Sequence, residues 1–131
     1  VSRPTLCRSN YLGTQQLLRV ASTWPHLACL LFTSTYFVNN FKPRNSIVRE
    51  VLHHLPLSLP VTSPNTSLTH GELVEALLAM PAVEAEAEAA ALMGALNFTS
   101  TYAFGKVLTE HLVNEAQLQV SRCPCMCCQL Q

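Results

Sequence analysis

Two side chains late in the chain have the types and spacing for proton chemistry. Tyr102 and Lys106 stand four residues apart, so on a helix they leave one face about a turn apart. An ammonium held beside a phenol favours the phenolate. A phenol tuned in that way can give a proton to a carbonyl oxygen as hydride arrives, or take one in the reverse direction. Phe104, Val107, Leu108 and Leu112 recur at offsets of three and four, the stripe a buried helix face requires. Thr99, Ser100 and Thr101 offer hydroxyls to cap its start. A half-buried tyrosine beside a solvated lysine gives the same spacing, so the pair acquires meaning only from what positions it.

The first positioning element is a helix beginning near Asn10. Leu17, Leu18, Val20 and Ala21 make its apolar side and Pro25 marks its end. An unbroken apolar run, Leu27 to Thr33, follows at strand length. Helix, short turn and buried strand is the rhythm of a parallel α/β sheet. The strand empties into Ser34 and Thr35, and in open parallel sheets ligands bind beyond the carboxyl ends of the strands. These hydroxyls are therefore candidates for a substrate oxygen, although hydroxyls at a strand end also satisfy nearby backbone groups.

Residues 40–69 contain Pro43, Pro56, Pro60 and Pro64, which predicts a loop excursion with one short helix over 46–54. On that helix the adjacent His53 and His54 diverge by about 100° and read as surface residues, not as a shared metal site. From Gly71 to Leu96 alanine, leucine and glutamate predict helix, broken at Pro81. Glu84, Glu86 and Glu88 could suggest paired carboxylates. Alternating with alanine they spread over a wide helical face and are expected in solvent, and the tract Ala82–Ala91 reads as an insertion. The Tyr102 helix is expected to run to about Leu118. The tail beyond holds Cys123, Cys125, Cys127 and Cys128. A structural zinc site pairs its ligands across a folded stretch, so the tail reads as unstructured and no metal is assigned. Cys7 and Cys29 suggest no disulfide framework, and a reducing compartment follows. The sequons at Asn65 and Asn97 read as accidental.

Bulk composition narrows the classes. The chain has 131 residues, 49% hydrophobic and only 12% charged, enough for one domain that is mostly core. Eight basic and eight acidic residues cancel, so no charge field points to nucleic acid. The apolar run from Leu27 to Val38 is too short to span a bilayer. The chain opens on Val1 with no signal-peptide pattern, and an internal piece of a longer protein is expected.

Asn10, Gly13, Thr14, Leu17, Leu18 and Ala21, then Ser34 and Thr35 after an apolar run, then Tyr102 and Lys106, together resemble an extended short-chain dehydrogenase/reductase. Two stretches are similar to fatty acyl-CoA reductases with their male-sterility-type NAD-binding domain. One runs from Phe32 to Asn40 and the other from Thr101 to Val113. The offset of sixty-seven positions from Thr35 to Tyr102 also fits that family, which inserts helices there. The resemblance covers roughly residues 8–56 and 97–115.

The resemblance implies a partial Rossmann-like, doubly wound parallel α/β sheet lacking its first βαβ unit, with a helical insertion at about 56–96. Residues 1–118 would be the central part of an NAD(P)-binding reductase domain and 119–131 a Cys-rich tail. Tyr102 would be the general acid. Lys106 would hold the nicotinamide ribose, Thr35, with Ser34 beside it, would bind the substrate carbonyl oxygen, and Asn10 would lie beneath the cofactor site. The cofactor would be NADPH and the substrate a long-chain acyl-CoA, reduced to aldehyde or alcohol. The full-length protein would be intracellular, cytoplasmic or on the endoplasmic reticulum, peroxisome or plastid, with membrane association possible. The rivals are a thioester-reductase, sterol or sugar-nucleotide enzyme of the same core, and a truncated, non-catalytic chain that aggregates alone. No G-x-x-G-x-x-G occurs, because the glycines are only 13, 71, 94 and 105. The pyrophosphate cradle of such folds is expected upstream, and the chain by itself is expected to be inactive.

Overall fold

The computed structural model describes residues 10–120. The expectations for residues 1–9, Cys7 and the four tail cysteines lie outside them. Helix α1 spans Tyr11–Ala21. A 3₁₀ turn follows at Tyr36–Asn39, then a hairpin of β1 (Leu57–Leu59) and β2 (Ser63–Leu68). Helices α2 (His70–Ala79), α3 (Ala82–Ala95) and α4 (Thr101–Val120) complete the order. The architecture is mixed α/β with one antiparallel two-stranded ladder.

α4 is the axis. Ser100 starts it, its hydroxyl accepting from the Ala103 N–H at 3.4 Å. Phe104, Val107 and Leu108 are fully buried and Leu112 partly so, as their spacing requires. α4 touches α1, the 3₁₀ turn and α2. Its buried side chains share one core cluster with Leu73 and Leu77 of α2, Leu92 of α3, and Leu57 and Leu59 of β1, and the ring of Phe98 lies 5.0 Å from Phe104. The stretch read as an insertion thus supplies much of the one core.

Several expectations are corrected. The apolar run 27–33 forms no strand, because a parallel strand needs neighbours to complete its ladder and the only ladder among the described residues is β1 with β2. On α1 the buried residues are Tyr11 and Ala21, while Leu17 and Val20 are exposed, since the helix leans on α4 through its start. Residues 46–54 are not helical. The proline-rich stretch beyond them is a hairpin, its register Leu57 to Leu68 and Leu59 to Ser63 with an irregularity between. Its prolines fall where they are tolerated: Pro56 before β1, Pro60 at the turn and Pro64 in the exposed strand β2. α2 begins with a capping box in which Thr69 and Glu72 satisfy each other's N–H groups, and the break at Pro81 falls where expected.

Glu88 is the sharpest departure from a solvated face. It is 2% exposed and accepts from the Val61 N–H at 3.0 Å and the Thr62 N–H at 2.7 Å. It thereby ties α3 to the hairpin turn. Burial alone would push its carboxyl up, but these bonds outweigh burial and hold it below the usual range. Glu88→Ala strands both N–H groups and is expected to lower unfolding stability by about 1.5–3 kcal/mol. Glu86→Ala, removing a less buried neighbour, serves as the comparison, and equal urea midpoints for the two variants would contradict the role.

Candidate functional site

The face of α4 that carries Tyr102 and Lys106 extends one turn further to Glu110. Lys106 Nζ donates to the Thr33 carbonyl at 2.8 Å and stands 4.5 Å from the centre of the Phe32 ring, a favourable cation–π approach. One turn on, the Ser34 hydroxyl donates to Glu110, a carboxylate only 5% exposed. Two successive turns of one helix therefore grip two successive residues of the segment that leads into Thr35.

Thr35 then caps the 3₁₀ turn, its hydroxyl oxygen accepting from the Phe37 N–H at 3.3 Å. A hydroxyl that accepts in this way keeps its hydrogen to donate, whereas the Ser34 hydrogen is committed to Glu110. Beside them opens a cavity of about 410 Å³, lined by Ser34, Thr35 and Glu110, by Val38, Val48 and Val51, and by Asn39, Arg49 and His53. Tyr102 does not line it. Its side chain lies at the start of the helix face, half-exposed, with no hydrogen bond to Lys106 or Thr35. Asn10 stands at the start of α1, where its carbonyl accepts from the Thr14 N–H. Its side chain makes no cap and is not hydrogen-bonded to Tyr102 or Lys106. The structure thus joins Lys106 to the strand-end segment and leaves Asn10 apart.

Burial pulls the Lys106 ammonium down from its ordinary pKa, while Glu110 pushes it back up. Burial raises Glu110, against the Ser34 hydrogen bond and the Lys106 charge, which lower it. Glu110 was not singled out from sequence, although its spacing of four from Lys106 was the available signal.

Histidines lie beside this cavity and around His111 of α4. His53 corrects the surface expectation. Residues 51–55 are not helical, and there His53 is buried and His54 exposed. His53 Nε2 meets Asn39 Oδ1 at 2.7 Å, and its ring lies edge-on to Phe41. His111 Nε2 donates to the His53 carbonyl at 2.7 Å. The His111 ring is 5.6 Å from that of His54 and 5.5 Å from that of His70, which pairs with Glu115 at 3.2 Å. No group of three His, Cys, Asp or Glu among the described residues could hold a metal.

Burial is the leading cause that holds His53, His70 and His111 below the ordinary histidine value of about 6.5. The folded state therefore resists protons that the unfolded chain accepts. Stability is expected to be highest above pH 6.5 and to fall as pH drops from there through the lowered folded values. Glu110 acts in the opposite sense, but only below its own raised pKa. A urea midpoint at pH 5.5 equal to or above that at pH 7.5 would contradict this sign.

Residues 2–128 match the family model described as male sterility protein, an NAD-binding domain. The chain belongs to that family. The match runs through the hairpin, α2 and α3, where no motif is recognisable by eye. No curated protein and no solved structure matches the chain. The family domain is the fatty acyl-CoA reductase type, so the chain carries an NAD(P)-dependent oxidoreductase domain of the extended short-chain class, with a nicotinamide cofactor.

The residues present fit one end of that cofactor. An ammonium has three donors, and the Thr33 bond uses one of them at Lys106. The phenol of Tyr102 stands on the same face, open to solvent. The pyrophosphate end finds no cradle among the described residues. All four glycines lie inside helices, none has positive φ, and a Cβ at Gly13, Gly71 or Gly94 would meet nothing within 4 Å.

Proposed function

We propose that this chain is the central part of an NADPH-dependent reductase that converts long-chain fatty acyl-CoA to fatty aldehyde or alcohol. Residues 1–118 belong to its cofactor-binding domain, and 56–96 are the family's helical insertion. The observation that carries the reading is the Lys106–Thr33 hydrogen bond, which sets the Tyr102–Lys106 face against the segment bearing Thr35. The exposed Leu17, Val20 and Leu31 fit a finer fold in which further parallel strands cover α1 and pair with 27–33.

When bound, the nicotinamide supplies hydride to the carbonyl carbon. The chain does the rest. Thr35 would donate a hydrogen bond to the carbonyl oxygen, Tyr102 would give that oxygen a proton, and the remaining Lys106 hydrogens would hold the ribose hydroxyls. The hemithioacetal so formed then breaks its C–S bond, the hydroxyl proton leaving with coenzyme A as its thiol, to give the aldehyde. Thr35 is already held by its bond from the Phe37 N–H, and a donor fixed before the reaction stabilises the growing oxyanion without reorganising. Val38, Val48 and Val51 give the adjoining cavity the apolar wall an acyl chain needs. No helix among the described residues is long and apolar enough to cross a membrane.

A second reading is favoured by one observation, the lack of a glycine cradle among the described residues. It makes the chain a non-catalytic member of the family. The two are separated by joining the chain to a glycine-rich strand–turn–helix unit and assaying palmitoyl-CoA, a sterol ketone and a sugar nucleotide, each with NADPH and NADH. Oxidation of NADPH by the acyl-CoA alone is expected. Turnover of the sterol or sugar nucleotide alone would overturn the substrate, and none with any would favour the second reading.

A further inference from the structure

Glu110 is a buried carboxylate that the reduction as described does not use. It lies on the face of Tyr102 and Lys106, closes one wall of the cavity beside Thr35, and receives the Ser34 hydroxyl across 76 residues of sequence. Burying a carboxylate is costly unless bonds or charges compensate, and here a hydroxyl and an ammonium do so. Lys106 and Glu110 each feel the other's charge. Lys106 in turn is bonded to Thr33, the residue before Ser34. The chain therefore closes a loop: Glu110 to Ser34, along the backbone to Thr33, to Lys106, and back along one turn of helix.

We propose that Glu110 is a positioning residue of the reductase site. It clamps Ser34 so that Thr35 keeps its place, and its carboxylate, one turn along the same face, offsets part of the cost of burying the Lys106 ammonium. The proposal rests on the function proposed above, and it divides the two adjacent hydroxyls, Ser34 to the clamp and Thr35 to the substrate. The other charged or titratable groups around Glu110 are Tyr36, Arg49, Glu50 and His53, which line the cavity with it. When Glu110 is protonated, Lys106 loses its counter-charge while Ser34 keeps an acceptor.

The test uses the chain itself, with lysine and glutamate side chains isotopically labelled and their titrations followed by NMR. Glu110→Gln keeps an acceptor for Ser34 and removes the charge, so the Lys106 midpoint is expected to move down while the other lysine, Lys42, stays in place. Glu110→Asp, a shorter carboxylate, should restore part of the shift. A Lys106 midpoint unchanged in folded Glu110→Gln overturns the counter-charge. Should Glu110→Gln not fold, Ser34→Ala reads the same clamp from its other side. Loss of the hydroxyl is expected to raise the Glu110 midpoint further, and an unmoved midpoint overturns the clamp. These titrations contain neither cofactor nor substrate. Failure of the cradle-joined protein to reduce acyl-CoA would overturn the proposed function and leave the clamp standing, whereas unmoved midpoints would do the reverse.

Discussion

Tyr102→Phe is expected to remove carbonyl reduction, by roughly 10²–10⁴-fold if the phenol is the general acid, in a protein that joins this chain to a glycine-rich cofactor cradle. Cofactor affinity should stay nearly unchanged, because the proposed mechanism gives the ribose to Lys106 and asks the phenol for a proton only as the carbonyl is reduced. Lys106→Ala should weaken both. The half-exposed position of Tyr102 makes the comparison clean: its hydroxyl has no hydrogen-bond partner among the described residues, so its loss should leave the melting temperature where it was. Wild-type turnover in Tyr102→Phe, with cofactor bound normally, would remove Tyr102 from the chemistry.

The largest effect on stability is expected at Phe104. Its ring is fully buried on the central helix, against Phe98, and in the same cluster as Leu73, Leu77 and Leu92. Phe104→Ala removes that burial and leaves a cavity the neighbouring helices can only partly close, at a cost of about 3–5 kcal/mol. Against a total of about 5–15 kcal/mol for an ordinary domain, this is enough to bring the chain near its unfolding threshold. Phe104→Leu, which retains most of the volume, should cost much less. Similar urea midpoints for the two variants would mean that α4 is not the centre of the core.

These two positions also mark what the sequence could disclose. The Tyr102 helix, its buried stripe, the bounds of α1 and the break at Pro81 are written in local spacing and composition, which act within a few residues. The run 27–33 has strand composition, but a strand is completed by its neighbours, and the sequence of one segment cannot state whether a partner lies beside it. Leu57, Ser58 and Leu59 do alternate in burial, yet three prolines nearby obscured the hairpin.

The misread charged and polar residues share one cause. Glu88 looks like its solvent-facing neighbours until the turn at Val61 and Thr62 arrives from 26–27 residues away. His53 turns inward because Asn39 and Phe41 meet it there. Glu110 sits in full view four residues after Lys106, but its role requires Ser34. Long-range partners decide these cases. The division of Ser34 and Thr35 is of the same kind: the Ser34 hydrogen is already used by Glu110, which is why the proposed mechanism assigns Thr35 to the substrate.

The measurement that bears most directly on the site is chemical-shift mapping of the labelled chain with reduced nicotinamide mononucleotide, the half of the cofactor that the described residues fit, followed by NADPH. Saturable shifts are expected at Tyr102, Lys106 and the segment Thr33–Thr35, reduced in Lys106→Ala, with the cavity lined by His54, His70 and His111 undisturbed. Shifts confined to that histidine cavity, or no saturable shift on the Tyr102–Lys106 face, would contradict the assignment of this helix face as the nicotinamide site.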